Sequence, residues 1–110
     1  VELFKRYRTF INYRRIELYG YDFSNMEINN YDFYNINFTK CNFENSVFIE
    51  TMFSKSDICT TNLNKSIFKN CYFFGVELTY CELKNAKFIN TELNACLYKT
   101  TLINASFVEE

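Results

Sequence analysis

The sequence predicts an all-β solenoid, a rod of stacked coils in which the chain bends once every five residues. Two columns of residues predict it. The first is a fixed step of five from Leu18 through Phe23, Ile28, Phe33, Phe38, Phe43, Phe48, Phe53, Ile58, Leu63, Phe68, Phe73, Leu78, Leu83 and Phe88 to Leu93, every one Leu, Ile or Phe. Those three types make up about a quarter of the chain, so sixteen consecutive matches by chance have odds on the order of one in a billion. The second column lies two residues before each centre and is small or modest from Cys41 onward: Cys41, Ser46, Thr51, Ser56, Thr61, Ser66, Cys71, Val76, Cys81, Ala86, Thr91, Ala95, Thr100 and Ala105. A strand face repeats every two residues and a helix face every 3.6, so a beat of five requires an equivalent bend in each repeat. Large and small inward residues then alternate, which is what a narrow filled interior needs.

After Leu93 the frame slips by one and resumes at Leu97, Leu102 and Phe107, so the repeat holding Asn94 has lost a position and a tightened turn is expected there. The start of the rod departs in another way. Its small positions hold Ile16, Tyr21, Met26, Tyr31 and Ile36, which predicts a wider or irregular first coil. Ahead of it, Leu3, Phe4, Tyr7, Phe10 and Ile11 fall at helical spacing opposite Lys5, Arg6 and Arg8, so residues 1–15 read as a short cap or an irregular segment. At the far end Leu97, Leu102 and Phe107 form the last layer, which is expected to pair end to end with another rod or to be covered by further chain.

Units such as Cys41-Asn42-Phe43-Glu44-Asn45, Thr61-Asn62-Leu63-Asn64-Lys65 and Ala86-Lys87-Phe88-Ile89-Asn90 carry the A(D/N)LXX signature, and on them residues 16–110 resemble the pentapeptide-repeat family. The resemblance implies a right-handed quadrilateral β-helix with four repeats to a coil, hence about five coils and, at the spacing of paired strands, a rod about 24 Å long. It also sorts the centres by side. Ile28, Phe48, Phe68, Phe88 and Phe107 stack on the third side and Phe33, Phe53, Phe73 and Leu93 on the fourth, giving aromatic ladders whose stacked pairs contribute about 0.5–1.5 kcal/mol each beyond burial. The first side (Leu18, Phe38, Ile58, Leu78, Leu97) and the second (Phe23, Phe43, Leu63, Leu83, Leu102) are more mixed.

Composition narrows the chemistry. The chain has 110 residues, enough for one core, with no His and no Pro. No run of eighteen apolar residues is present to span a bilayer, so membrane insertion is not expected. The net charge of −1 is uneven: residues 1–15 carry +4, and the remainder carries seven lysines against twelve carboxylates, a net of −5, which argues against direct nucleic-acid binding by the body. Residues 1–15 lack the unbroken apolar stretch of a signal peptide, and Val1 in place of an initiating Met suggests a trimmed chain.

Five cysteines have no CxxC pair and no His to complete a mixed metal site. Cys41 and Cys81 share a side two coils apart, about 9.6 Å, beyond disulfide reach; Cys59 and Cys96 face outward, also two coils apart. Reduced thiols filling small core positions are the expectation, with a cytoplasmic location. A Ser or Cys nucleophile would lack an imidazole base, stacked carboxylates (Glu17, Asp57 and Glu77; Asp22 and Glu82) read as the solvated position of the repeat, and neither Gly20 nor Gly75 opens a phosphate loop. No catalytic residue, metal or cofactor is expected. The sequons at Asn37, Asn64 and Asn104 read as coincidence in an Asn-rich chain.

One surface stands out. Positions flanking the centres should face solvent, yet the third and fourth sides carry Val47, Ile49, Ile67 and Ile89, with Met52, Tyr72 and Phe74 around the adjoining corner. Together they read as an apolar contact surface for a second copy, another domain or a foreign protein. The leading expectation is therefore a non-enzymatic scaffold or interaction module. A second follows from resemblance alone: some pentapeptide-repeat proteins are similar to duplex DNA in width and charge and protect type II topoisomerases from quinolones, although −5 over about five coils is thin for that role. A third is a luminal receptor-like segment, since the Phe- and Asn-rich style resembles the luminal repeats of synaptic vesicle glycoproteins; the five thiols count against it.

Overall fold

The computed structural model describes residues 15–110, and the cap expected over residues 1–15 lies outside the described residues except for Arg15. Ten short strands follow one another: β1 (Ile16–Tyr19), β2 (Glu27–Asn29), β3 (Ile36–Thr39), β4 (Val47–Ile49), β5 (Asp57–Cys59), β6 (Ile67–Lys69), β7 (Val76–Thr79), β8 (Lys87–Ile89), β9 (Ala95–Tyr98) and β10 (Ser106–Val108). They alternate between two parallel sheets, β1-β3-β5-β7-β9 and β2-β4-β6-β8-β10. Each pairing joins residues twenty apart, as Leu18 with Phe38 and Phe48 with Phe68. Past Asn94 the step falls to nineteen, as Leu78 with Leu97 and Phe88 with Phe107. The chain is thus a parallel β-solenoid of about five coils, with the two sheets as its first and third sides.

The second and fourth sides are narrower, held by single bridges from Asp22 through Asn42, Asn62 and Glu82 to Thr101, and from Asp32 through Met52 to Tyr72. The Asp/Asn of the signature explains the difference locally. The side-chain oxygens of Asp22, Asp32, Asn42 and Asn62 accept the N–H two residues on, at 3.0, 2.9, 2.9 and 2.8 Å, and so turn the chain where the first and third sides continue as strands. Every fifth residue from Gly20 to Asn90, and again Lys99 and Asn104, has positive φ. That left-handed residue is the bend itself. Gly at φ 74 and 67 and Asn at φ 50–61 adopt it at little cost, whereas Thr60 at φ 51 and Tyr80 at φ 54 are strained there.

Inside, the ring geometry records the square section. Rings one coil apart lie nearly parallel: Phe48 on Phe68 at 4.9 Å and 5°, Phe68 on Phe88 at 5.0 Å and 12°, Phe53 on Phe73 at 5.0 Å and 8°. Rings on adjacent sides meet edge to face, with interplanar angles of 72° for Phe48–Phe53 and again for Phe68–Phe73. Phe33, Phe48, Phe53, Phe68, Phe73 and Phe88 are all buried. Phe107 is the exception in the expected ladder: it stacks on Phe88 at 4.7 Å, but it lies in the last described coil and is 54% exposed.

The small column does more than save space. Several of its hydroxyls and thiols donate to a carbonyl one coil below, 23 positions earlier for Ser56 Oγ to Phe33 at 2.7 Å, Cys81 Sγ to Ile58 at 3.1 Å and Cys71 Sγ to Phe48 at 3.3 Å, and 22 positions earlier, past the slip, for Thr100 Oγ1 to Leu78 at 3.0 Å. A buried polar group at each such position is thereby satisfied.

Two local expectations need correction. The first coil is regular in its backbone: β1 pairs β3 from Ile16↔Ile36 onward, and Gly20, Asn25 and Asn30 bond to the coil above at 2.9, 3.0 and 3.0 Å. Its bulk is relieved by exposure, since Tyr21 turns to solvent beside Phe23 and Tyr31 lies half-buried beside Phe33, while Ile36 fits fully inside. The missing residue at 91–94 does not tighten a turn. On the fourth side Phe33 and Asn35 donate to Met52 and Ser54 (2.9 and 2.8 Å), and Phe53 and Lys55 to Tyr72 and Phe74 (2.8 Å each); that series ends there, because four residues do not bring the carbonyls of Glu92 and Asn94 into step.

Candidate functional site

Because side chains alternate along each strand, residues flanking a centre point away from the interior, and the parallel register lines them up along the rod. On the third side the column before the centres runs Glu27, Val47, Ile67, Lys87 and Ser106, and the column after them Asn29, Ile49, Lys69, Ile89 and Val108. Val47 is therefore beside Ile67. Around the corner Met52 bridges to Tyr72, and the Tyr72 ring stacks on Phe74 at 6.3 Å and 19°. Met52, Tyr72 and Phe74 are 40, 52 and 52% exposed, and Val47, Ile49 and Ile67 are half-buried.

The patch thus centres on the second and third coils, and it is smaller than the sequence suggests. Ile89 is 9% exposed and contributes little outer surface. Lys69 separates it from Ile49, and the Lys69 ammonium reaches the Glu110 carboxylate at 3.7 Å. A charged frame surrounds the remaining apolar residues, with Glu27 and Lys87 on the third side and Asp32 and Glu92 on the fourth. Further exposed aromatics lie elsewhere: Tyr80 and Tyr98 pack edge to face at 5.8 Å on the first side, where Lys99 lies 5.8 Å from the Tyr98 ring. Reading only apolar flanks in the third and fourth sides misses this second aromatic pair; the Tyr at both a flank and a bend position was its signal.

Among the described residues no group of His, Cys, Asp and Glu is placed to hold a metal. All five thiols are free. Burial pushes Cys71 and Cys81 up to about 11 and raises Cys41 as well, so all three are protonated donors near neutral pH rather than nucleophiles. Two of the stacked carboxylates have structural partners: Arg15 pairs with Asp57, and the hydroxyl and N–H of Ser24 hold the Asp22 carboxyl below its ordinary range. No described helix is long and apolar enough to cross a membrane.

No curated protein matches the chain. Among solved structures it resembles a trypsin-treated form of QnrB1, a plasmid-mediated fluoroquinolone resistance protein, at TM-score 0.60 and 20% identity over 84% of this chain and 58% of that one. A pentapeptide repeat protein from the Arabidopsis thaliana thylakoid lumen is similar at TM-score 0.51 and 22% identity, over 86% of this chain and 66% of the other. The chain therefore spans somewhat over half the length of QnrB1. At these identities the likeness is one of fold. In sequence, the family described as pentapeptide repeats (8 copies) matches residues 32–64. The twenty-residue coil, the bend at every fifth residue and this match together show pentapeptide repeats at residues 32–64 in a chain that has the β-helical fold of pentapeptide-repeat proteins.

Proposed function

We propose that this chain is a non-enzymatic interaction scaffold, a rigid rod that presents Val47, Ile49, Ile67, Met52, Tyr72 and Phe74 to a protein partner. The observation that carries the reading is the clustering of six apolar side chains on the outside of the second and third coils, where most of the other flanking positions along the rod are polar. Such a patch inside a charged frame has the anatomy of a contact surface. Reduced inward thiols fit a cytoplasmic setting.

A photo-crosslinking amino acid in place of Tyr72, with Glu82 on the opposite side as the control position, tests the reading in the cell of origin. Protein adducts are expected from position 72 and not from position 82. No adduct at 72, or equal yields at both, would contradict it.

The second reading, a DNA mimic acting on a type II topoisomerase, draws support from the shared fold with QnrB1. Charge weighs against it. Duplex DNA carries one negative charge per about 1.7 Å, so a rod of about 24 Å would need roughly fourteen to match it, whereas residues 16–110 carry a net −5. The scaffold reading is preferred on that ground.

A further inference from the structure

The third side holds a charge pattern that the apolar patch alone does not explain. Along the column before the centres the order is Glu27, Val47, Ile67, Lys87, fixed by the parallel pairing of β2, β4, β6 and β8. Ahead of Ser106, these four positions have opposite charges at Glu27 and Lys87 and apolar residues between them, and Glu27 and Lys87 make no ion pair among the described residues. Both are exposed. The separation of the charges is three strand spacings, about 14 Å.

Such a column is complementary to itself when inverted. We infer that the third side pairs with the third side of a second copy, the two rods antiparallel about a twofold axis that runs along the strands between β4 and β6. This rests on the contact-surface reading above and names its occupant. The operation sets Glu27 of each copy against Lys87 of the other and Val47 against Ile67, an isologous contact in which every pairing occurs twice. Ile49 then meets the second copy's Lys69, whose methylene stem covers apolar surface while its ammonium turns to Glu110 of its own chain. A parallel pairing would put Glu27 beside Asn29 and Lys87 beside Ile89, leaving both charges unmatched, so electrostatics selects the antiparallel arrangement.

Area sets the strength. The four strands that overlap, at about 4.8 Å each, and three residues at about 3.3 Å make a face about 19 by 10 Å. That is well under the roughly 800 Å² per partner of a stable complex. The dimer is consequently weak, formed at high protein concentration and lost on dilution.

Sedimentation velocity across a concentration series, with Glu27→Lys, Lys87→Glu and the double exchange compared with the native chain, tests this. The native chain is expected to pass from monomer to dimer as concentration rises. Each single exchange places like charges together twice and is expected to raise the midpoint at least tenfold, while the double exchange returns it to near the native value. Circular dichroism identical among the four proteins shows that all are folded. A native chain that stays monomeric throughout, or a double exchange no better than the singles, would overturn the pairing. Adducts to a different protein at position 72 alongside either result would leave the contact surface standing and remove only the second copy.

Discussion

Replacing Phe68 with alanine is expected to lower the melting temperature by about 15–30 °C, or to leave the chain unfolded at room temperature. Phe68 is 2% exposed at the middle of the rod. Its ring is stacked between Phe48 and Phe88 at 4.9 and 5.0 Å and meets Phe53 and Phe73 edge to face at 5.9 and 5.3 Å. Deleting a buried Phe costs about 3–5 kcal/mol in lost transfer energy and residual cavity. The parallel strands above and below are hydrogen-bonded along the axis and cannot collapse sideways, so the upper part of that range applies. Native stability is only about 5–15 kcal/mol, and the change is a large share of it. Phe107→Ala is the matched comparison: same residue type, same ladder, one stacking partner and 54% exposure, hence a loss of at most about 1 kcal/mol. Thermal melts of the two variants followed by circular dichroism check the contrast. Equal losses would mean that the rings do not carry the core.

Ser66→Leu is expected to destabilise the rod by about 2–4 kcal/mol through two effects that add. Ser66 is fully buried, and its column neighbours Ser46 and Ala86 are also small and buried, so a leucine has no adjacent space to enter. Overpacking of that kind costs about 1–3 kcal/mol. The hydroxyl also donates to the Leu63 carbonyl at 2.6 Å, and removing it leaves a buried acceptor short of a partner, worth about another 1 kcal/mol. Ser66→Ala separates the terms, since it removes the bond without adding volume and is expected to cost only about 1 kcal/mol. Urea titration of both variants gives the comparison; a leucine variant as stable as the alanine variant would show that the interior has room to spare.

The choice of site matters, because the second inward column is not uniformly small. Ile16, Ile36, Ser56, Val76 and Ala95 share one corner, and Ile36 and Val76 are fully inside. That corner accepts branched residues where the Ser46, Ser66 and Ala86 corner does not. The sequence pattern of large and small residues averages over four corners that are not equivalent.

The architecture was legible in the sequence because it rests on a one-dimensional signal. A side chain in every fifth position faces inward whatever its neighbours are, so Phe43, Phe48, Phe53 and Phe68 declare themselves without knowledge of the tertiary structure. The bend follows from the beat of five, but the residue that makes it carries its own mark, which the step of five alone does not identify. Asn or Gly two positions after most centres, from Gly20 to Asn104, is the mark of a left-handed residue, partly hidden by Lys40, Glu50 and Thr60 at equivalent positions. These residues tolerate the conformation only because flanking strands hold it.

The surface was less legible, for a physical reason. Whether an outward residue is exposed depends on what the coils on either side place next to it, and Ile89 with Val108 above it differs in this from Ile67 between Val47 and Lys87. Ladder ends behave the same way. Phe107 obeys the repeat as well as Phe68 does, yet only one of them has a coil on both sides. The slip at Asn94 was visible, but its consequence depended on backbone register: a four-residue repeat keeps Leu93 packed on the core and gives up the fourth-side hydrogen bonds instead.

The central claim is that the chain closes one turn of the rod every twenty residues, and every nineteen once Asn94 is passed. Nuclear Overhauser contacts between backbone protons of an isotope-labelled sample measure this directly. Cross-peaks linking Phe48 to Phe68 and Asn42 to Asn62, then Glu82 to Thr101 and Phe88 to Phe107, are the expected result. A network dominated by contacts three and four residues apart, or pairings at any other constant step, would contradict it.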